Sequence, residues 1–176
     1  RKALKSRGST VFPAPVRPCL YAKSYKEACE ASERLTGKKL SQQAYNISAK
    51  VREVDELLQN EVSLRSVVHE AHPELAFCML NGGTPLLTKK KNSDGIIERL
   101  TLLERCYECA PRIYDEVLTQ YSRKDLARDD IVDAMMCLSI ALAPKEERKT
   151  FPNLVIHDNE GIEMAMHMFL PAKSEI

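Results

Sequence analysis

The stretch that decides the fold is Asp130-Ile131-Val132-Asp133-Ala134-Met135-Met136-Cys137-Leu138-Ser139-Ile140-Ala141-Leu142-Ala143. After Asp133 it has almost no polar side, which predicts a helix that is buried nearly all round. Side chains three residues apart share a helix face, so Asp130 and Asp133 should lie together near its start. A buried ionised carboxylate is costly unless a cation, a hydrogen-bond donor or water meets it. Aspartate at the start of a helix more often caps the free backbone amides than binds a metal ion. Capping is therefore the first interpretation, and a bound metal ion is the alternative.

The length and composition predict one globular domain, which we place over residues 1–176. The chain has 176 residues, of which 44% are hydrophobic and 29% are charged, enough for a real core. Its formal net charge of +1 gives no global field that would attract nucleic acid or a membrane surface. This argues against a strong non-specific DNA-binding protein. The same net charge is compatible with an enzyme that binds nucleic acid through a local basic patch.

Two features bear on the compartment in which the protein works. No apolar run is long enough to span a bilayer, so we expect no membrane partner. The six cysteines lie mostly in apolar or helical sequence, which predicts free thiols in a reducing compartment and hence the cytoplasm.

The chain does not begin with Met, and its first residues resemble the tail of a helix. We therefore expect that an N-terminal part precedes Arg1.

Hydrophobic periodicity predicts a helix-rich chain with few strands. The predicted helices cover 24–36, 42–59, 73–80, 95–108, 112–121 and 124–143, and an extended proline-rich loop covers 9–22. A strand is predicted over 64–71, which contains a β-branched pair, Val67 and Val68. A hairpin is predicted with strands 154–157 and 162–169 around a turn at 158–161. In its second strand Glu163 and His167 alternate with methionines.

The segment Glu70-Ala71-His72-Pro73-Glu74 is the second candidate for chemistry. It runs from the end of a strand into a helix, and ligands of open α/β folds usually bind at that edge of the sheet. On a strand, Glu70 and His72 point the same way, so we expect both near a bound substrate. His69 faces the other side, so we expect no metal shared by His69 and His72. The alternative is an exposed glutamate beside a histidine that hydrogen-bonds a backbone group.

Together the two segments supply three carboxylates, Glu70, Asp130 and Asp133. Hard divalent ions such as Mg²⁺ prefer oxygen ligands. Two such ions can clamp the attacking and the leaving oxygen in phosphodiester hydrolysis. One acid on a strand and two on a helix over the sheet suit that arrangement. The sequence therefore predicts a catalytic metal site built from these three acids.

A group of basic residues lies between the two acidic segments. If the carboxylate site is real, Lys90, Lys91 and Arg99 are the cations that we expect to hold a phosphate backbone. The alternative is a solvated charged loop, the usual fate of a run of lysines.

The pair Cys106 and Cys109 could be a redox pair or half of a zinc site. It has no second C-x-x-C, no strand directly before it and no clear histidine pair nearby. A four-ligand zinc site therefore lacks half of its ligands, and we keep this as a minor hypothesis.

Six short segments occur in a distinctive order: Ser9–Arg17, Gly37–Gln42, Arg52–Asp55, His69–Phe77, Lys89–Arg99 and Asp129–Ala134. In this order they resemble a bacterial and archaeal family of unknown function whose members are described as predicted ribonuclease-H-like nucleases. The resemblance covers nearly the whole chain, from Arg1 to Pro171. It implies an α/β fold, a ribonuclease-H-like mixed sheet flanked by helices and rich in helix. It also implies Mg²⁺ or Mn²⁺ as cofactor, nucleic acid as partner and phosphodiester hydrolysis as reaction.

The segment Asp130-x-x-Asp133-Ala134 is similar to the last helix of RuvC-type Holliday-junction resolvases, whose acids bind metal. By this resemblance Asp130 and Asp133 are metal ligands. Glu70 is implied as the third ligand, because that superfamily places a glutamate on a strand at this point.

The chain departs from the family pattern at its start. The family begins with a glycine-rich strand that carries an aspartate, the central metal ligand, and a later strand carries another aspartate before a proline. Neither is present in this chain, which resembles the C-terminal two-thirds or more of the family domain. We therefore expect an unpaired sheet edge. We also expect weak metal binding and no nuclease activity unless a partner supplies the missing acid. A non-catalytic binding or scaffold protein on the same fold is the alternative function.

Overall fold

The structure is a computed structural model that describes residues 4, 5, 8, 11 and 13–170. The chain divides into two compact units. The larger unit comprises the described residues of Arg1–Gly8, His69–Ile156 and Glu163–Ile176, and the smaller unit those of Ser9–Val68 and His157–Ile162. The single domain over 1–176 stays a prediction. Parts of the predicted loop 9–22 lie outside the described residues.

The smaller unit is helical. It contains α1 (Arg17–Leu20), α2 (Tyr25–Thr36), α3 (Gln42–Asn46), α4 (Ser48–Asn60) and a 3₁₀ helix (Val62–Ser66). The predicted helix 24–36 is confirmed as α2. The Ser24 hydroxyl accepts a hydrogen bond from the Glu27 amide at 3.2 Å, and Gly37 ends the helix in the left-handed conformation.

A small apolar core and an ion-pair network hold the smaller unit together. The core residues are Cys19, Ala28, Cys29, Ala31, Leu40 and Ala44. The Arg17 Nε donates to both carboxylate oxygens of Asp55 on α4, at 3.0 Å, and its guanidinium also pairs with Asp158. The predicted helix 42–59 is interrupted at Ile47, so it forms α3 and α4.

The larger unit contains α5 (Pro73–Leu80), α6 (Ser93–Leu103), α7 (Ala110–Gln120) and α8 (Arg128–Leu142). The predicted helix 73–80 is confirmed at both ends, with Pro73 at its first position, where a missing amide hydrogen costs nothing. α8 packs against α5, α6, α7 and a small sheet. None of the helices that the structure describes is long and apolar enough to pass through a bilayer.

The sheet of the larger unit has three described strands, β1 (Glu70–Ala71), β2 (Arg148–Phe151) and β3 (Met166–Phe169), in the order β1-β3-β2. β1 runs parallel to β3, with Ala71 beside His167. β2 runs antiparallel to β3, with Thr150 beside His167. The sheet is therefore mixed, and the helix-rich α/β class is confirmed.

The predicted strand 64–71 is wrong over most of its length. Residues Val62–Ser66 form a 3₁₀ helix, and only Glu70–Ala71 pair in the sheet. The amides of Val67 and Val68 donate to the Leu64 carbonyl at 3.0 and 2.8 Å, so both amides have their hydrogen-bond acceptor within the segment and not in a neighbouring strand. Val67 is 67% exposed, which shows that its side chain does not pack in a core.

The predicted hairpin keeps its turn and part of its pairing, because the Met164 amide donates to the Ile156 carbonyl at 2.8 Å, but residues 154–157 do not form a regular strand. The Asp158 amide donates to the Ile162 carbonyl at 2.9 Å, and Gly161 has a positive φ of 76°, which favours glycine. β3 lies within the predicted strand 162–169, but its antiparallel partner is β2 rather than 154–157. β2 ends at Phe151 because Pro152 has no amide hydrogen for the ladder.

The prediction of a helix buried nearly all round is wrong for α8. Val132 and Met136 are fully buried, but Leu138 is 47% exposed and Leu142 is 72% exposed. The other elements of the larger unit therefore cover one face of α8 and leave the opposite face open. Capping by aspartate is also wrong, because the N-cap residue is Ala127 and no side chain caps the helix.

Candidate metal centre

Two aspartates on α8 share one lysine. Asp129 and Asp133 are four residues apart, so they lie on one face of the helix. The Lys90 ammonium is 2.6 Å from Oδ2 of Asp133 and 3.5 Å from Oδ2 of Asp129. Because one cation serves two carboxylates, the three groups together carry a net negative charge when all are ionised.

The two oxygens of the Asp133 carboxylate have different surroundings. Oδ2 contacts Lys90, whereas Oδ1 is buried and has no hydrogen bond to any residue that the structure describes. Desolvation raises the pKa of this carboxyl group; Lys90 opposes that effect, and the charges of Glu74 and Asp129 add to it. A buried carboxylate oxygen without a donor is costly, so this position would gain from a second cation or from water.

Lys90 is held in its charged form. Burial alone would lower the pKa of its ammonium group, but the hydrogen bonds and charges of Asp133 and Asp129 outweigh burial and raise that pKa. The side chain remains 30% exposed, and its four-carbon stem can turn. The ammonium can therefore leave Asp133 if another cation takes its place.

Gly95 sets the position of the loop that carries Lys90. A Cβ atom at residue 95 would lie 2.2 Å from the Lys89 carbonyl oxygen, far inside van der Waals contact. The Asn92 amide also donates to the Lys89 carbonyl at 2.9 Å and closes a turn. Glycine therefore lets the first turn of α6 lie directly against the lysine loop.

Arg99, predicted to contact substrate, lies in the core. Its side chain has no exposed surface, and its Nη2 and Nε atoms are 2.6 and 3.2 Å from Oε1 of Glu74. Its Nη1 donates to the Gly95 carbonyl at 2.9 Å, and its guanidinium lies 5.5 Å from the centre of the Phe77 ring. Arg99 thus joins α5 to α6, and its contact with substrate stays a prediction.

The other two predicted ligands, Asp130 and Glu70, make no hydrogen bond or ion pair with Asp133 within the described part of the chain. Asp130 is exposed in the first turn of α8. Glu70 is exposed in β1, although desolvation raises the pKa of its carboxyl group, while the charge of His72 lowers it. Their roles as catalytic metal ligands stay predictions.

Asp129 is a member of this group that the spacing of the aspartates does not predict. Asp129, Val132, Asp133 and Met136 follow the i, i+3, i+4, i+7 pattern of one helix face. Asp130, Ala134, Cys137 and Ala141 form a second stripe that is equally apolar after its first residue but exposed, so the sequence pattern does not place Asp129 rather than Asp130 on the buried side. The spacing of the aspartates alone does not distinguish them, because residues three and four apart are both neighbours on a helix.

His72 and Lys91 are the remaining predicted substrate residues. The Nδ1 atom of His72 accepts a hydrogen bond from the Leu75 amide at 3.3 Å and caps α5. The alternative interpretation, a histidine that bonds a backbone group, is therefore confirmed. Lys91 is exposed in the loop before α6. Substrate binding by either residue stays a prediction.

The six cysteines are free thiols. Cys106 and Cys109 lie in the connection between α6 and α7, and desolvation raises the pKa of the Cys106 thiol. Among the described residues, metal-ligating side chains meet in a group of three only at His69, Glu163 and His167. A zinc site at the cysteine pair therefore lacks further ligands within the described part of the chain.

Comparison with known proteins assigns a family. A search of curated proteins and a search of solved structures found no match. A family model with the description "Protein of unknown function (DUF429)" matches residues 1–155, which is most of the chain. The chain therefore belongs to the DUF429 family of proteins of unknown function.

Proposed function

We propose that this chain carries the last-helix acids of a metal-dependent nuclease of ribonuclease-H-like fold that hydrolyses phosphodiester bonds of nucleic acid, and that a partner supplies the aspartate of the family's first strand. The observation that carries the proposal is the Asp133 carboxylate. Its Oδ1 is buried without a hydrogen bond to the described residues, while its Oδ2 contacts the Lys90 ammonium. Such a carboxylate is a ready ligand for a hard divalent cation. The resemblance to predicted ribonuclease-H-like nucleases supports the same reaction.

The residues around Asp133 fit Mg²⁺ or Mn²⁺. Asp129 supplies a second carboxylate on the same face of α8, and one ammonium leaves this pair with excess negative charge. Asp130 and Glu70 are the further ligands that the resemblance adds. Bound at this position, the metal would polarise a phosphodiester and activate water. The protein itself contributes a half-buried carboxylate whose orientation is fixed by α8.

Lys90 and Lys91 are the residues that we expect to bind the phosphate backbone. Lys90 is partly exposed and can turn away from Asp133 once a metal ion neutralises that carboxylate. Lys91 is exposed beside it. Both would act as point charges without sequence preference. Arg99 and His72 would act indirectly, by holding α5 and α6 in position. The free thiols favour the cytoplasm as the place of action.

The direct test is cleavage of labelled branched DNA, single-stranded DNA and an RNA–DNA hybrid by the product of the complete gene, in Mg²⁺ and in Mn²⁺. We expect cleavage that Asp133→Asn reduces by about a hundredfold or more, as for the loss of other transition-state charge stabilisers. Asp115→Asn, an equal change of charge at an exposed position of α7, should leave the rate unchanged. A folded protein that cleaves none of the three substrates contradicts the proposal.

A second candidate function is a non-catalytic binding or scaffold protein. The 2.6 Å contact between the Lys90 ammonium and Oδ2 of Asp133 favours this alternative, because Lys90 already neutralises the carboxylate without any metal. On this alternative, Mn²⁺ does not stabilise the protein, and Asp133→Asn affects folding but no activity. A ligand that binds only the folded state must raise stability, so the two functions are distinguished by metal titration.

A further inference from the structure

Three side chains meet on one side of the small sheet, apart from the group around Asp133. His167 lies in β3 beside Ala71 of β1, and His69 is two residues before Ala71. Side chains two residues apart along an extended chain share a face, so both imidazoles lie on the same face. Glu163, four residues before His167, completes the group.

The carboxylate of Glu163 is directed at both imidazole rings. Its Oε1 is 2.7 Å from Nε2 of His167, and its Oε2 is 3.8 Å from Nδ1 of His69. The two rings stack with their centres 4.0 Å apart and their planes inclined by 19°. One ligand atom from each of the three side chains lies within 4.8 Å of the other two.

A hydrogen bond between Glu163 and His167 accounts for part of this geometry but not for all of it. At 3.8 Å, the separation between Glu163 and His69 is too long for a hydrogen bond. Two ligand atoms of one zinc ion, each about 2.1 Å from the metal, are about 3.4 Å apart in tetrahedral geometry. The two separations from Glu163, 2.7 and 3.8 Å, lie on both sides of that value, and the third is within 4.8 Å. An imidazole binds a metal in its ring plane, so the two rings must turn out of their stacked arrangement to bind one ion.

We propose that His69, Glu163 and His167 form a binding site for a divalent transition-metal ion of the zinc type. Two imidazole nitrogens and one carboxylate oxygen favour such ions over Mg²⁺, which prefers oxygen ligands throughout. Two-histidine, one-glutamate sets are typical of zinc sites that keep a position open for water or substrate. The three side chains are 27%, 24% and 14% exposed, respectively, so the site is half-buried and solvent can reach it.

The test is Zn²⁺ titration by calorimetry, with Co²⁺ as a spectroscopic substitute, on the full chain. We expect saturable Zn²⁺ binding that includes one tight site, and a visible Co²⁺ spectrum that Zn²⁺ removes. His167→Ala and Glu163→Gln should each weaken binding by at least about tenfold, the lower limit for losing even an outer partner of a metal ligand. Circular dichroism verifies that each variant is folded.

Glu163→Gln is the stricter variant, because its amide oxygen still accepts a hydrogen bond from His167 and preserves a merely structural contact. His157→Ala removes an exposed histidine that lies outside the group and should retain full affinity. Asp133→Asn should also retain the Co²⁺ spectrum, which separates this site from the proposed nuclease site. The proposal is overturned if the wild-type chain shows no saturable Zn²⁺ binding, if Glu163→Gln binds Zn²⁺ as tightly as the wild type, or if His157→Ala loses as much affinity as His167→Ala.

Discussion

The ammonium of Lys90 lies 2.6 Å from Oδ2 of Asp133 across 43 residues of sequence. This contact joins the loop before α6 to the beginning of α8. It explains how a half-buried carboxylate is tolerated in the protein without metal. It also defines the competition on which the proposed nuclease function depends. A divalent cation must replace the ammonium or bind beside it, at the buried Oδ1.

Removal of the lysine charge should destabilise the chain unless metal is present. Lys90→Met leaves Asp129 and Asp133 without their shared cation, which should cost about 1–3 kcal/mol of unfolding free energy. Millimolar Mn²⁺ should restore part of this loss. Urea denaturation with chelator and with Mn²⁺ measures both effects. Lys91→Met, at the exposed neighbouring position, is the matched control, and equal losses in the two variants would contradict the structure.

Arg99 should be more important for stability than any surface lysine. Arg99→Met leaves Glu74 as a buried charge without its guanidinium, which should cost about 3–5 kcal/mol. The double variant with Glu74→Gln should lose less than the sum of the two single losses, because the pair is removed together. Chemical denaturation of the four proteins measures this coupling. Additive losses would show that the buried pair contributes little.

The helices that sequence analysis located correctly are those with local start and stop signals. Ser24 and Gly37 bound α2, and Pro73 begins α5, so these limits need no information from distant residues. The strands depend on their partners instead. β3 could pair with any nearby extended segment, and local sequence does not show that it pairs with 148–151 rather than with 154–157.

Asp158 should make the stability of the smaller unit depend on pH. Burial would raise the pKa of its carboxyl group, but hydrogen bonds from the amides of Ile162 and Glu160 and from Arg17 lower it. The unfolded chain therefore binds a proton first, at a pH near about 4. The stabilisation is complete above that pH and is lost as the pH falls towards the lower pKa of the folded state.

Asp158→Asn keeps an oxygen acceptor for the two amides but removes the charge that faces Arg17. We expect this variant to be about 1 kcal/mol less stable than the wild type in mildly acidic to neutral buffer. The difference should shrink as the pH falls below about 4. Urea denaturation over a pH series measures it. A difference that does not vary with pH would contradict the assigned direction of the pKa shift.

Asp129 and Asp130 should respond differently to neutralisation. Asp129 is buried near Lys90, whereas Asp130 is exposed in the same turn. We therefore expect Asp129→Asn to weaken Mn²⁺ binding more than Asp130→Asn does, as measured by calorimetry. A larger loss for Asp130→Asn would favour the ligand set that the family resemblance implies. Each variant serves as the control for the other, because both remove one negative charge from the same helix turn.

The candidate site was partly visible in the sequence. Asp133 and Lys90 were both identified by residue type and position, but their contact depends on how the loop before α6 folds back on α8. The choice between Asp129 and Asp130 depends on the rotation of α8 about its axis, which packing against α5, α6, α7 and the sheet sets. Glu163 and His167 were visible as one face of a strand. Their meeting with His69 follows from the parallel pairing of β1 with β3, a long-range contact that no local pattern encodes.

The measurement that tests the central claim most directly is the unfolding free energy of the chain with and without Mn²⁺, for wild type, Asp133→Asn and Asp115→Asn. At ten times its dissociation constant, an ion bound only to the folded state stabilises it by about 1.4 kcal/mol. We predict this gain for the wild type and for Asp115→Asn, and its loss in Asp133→Asn. No gain in the wild type, or an equal gain in Asp133→Asn, would contradict a divalent-cation site at Asp133.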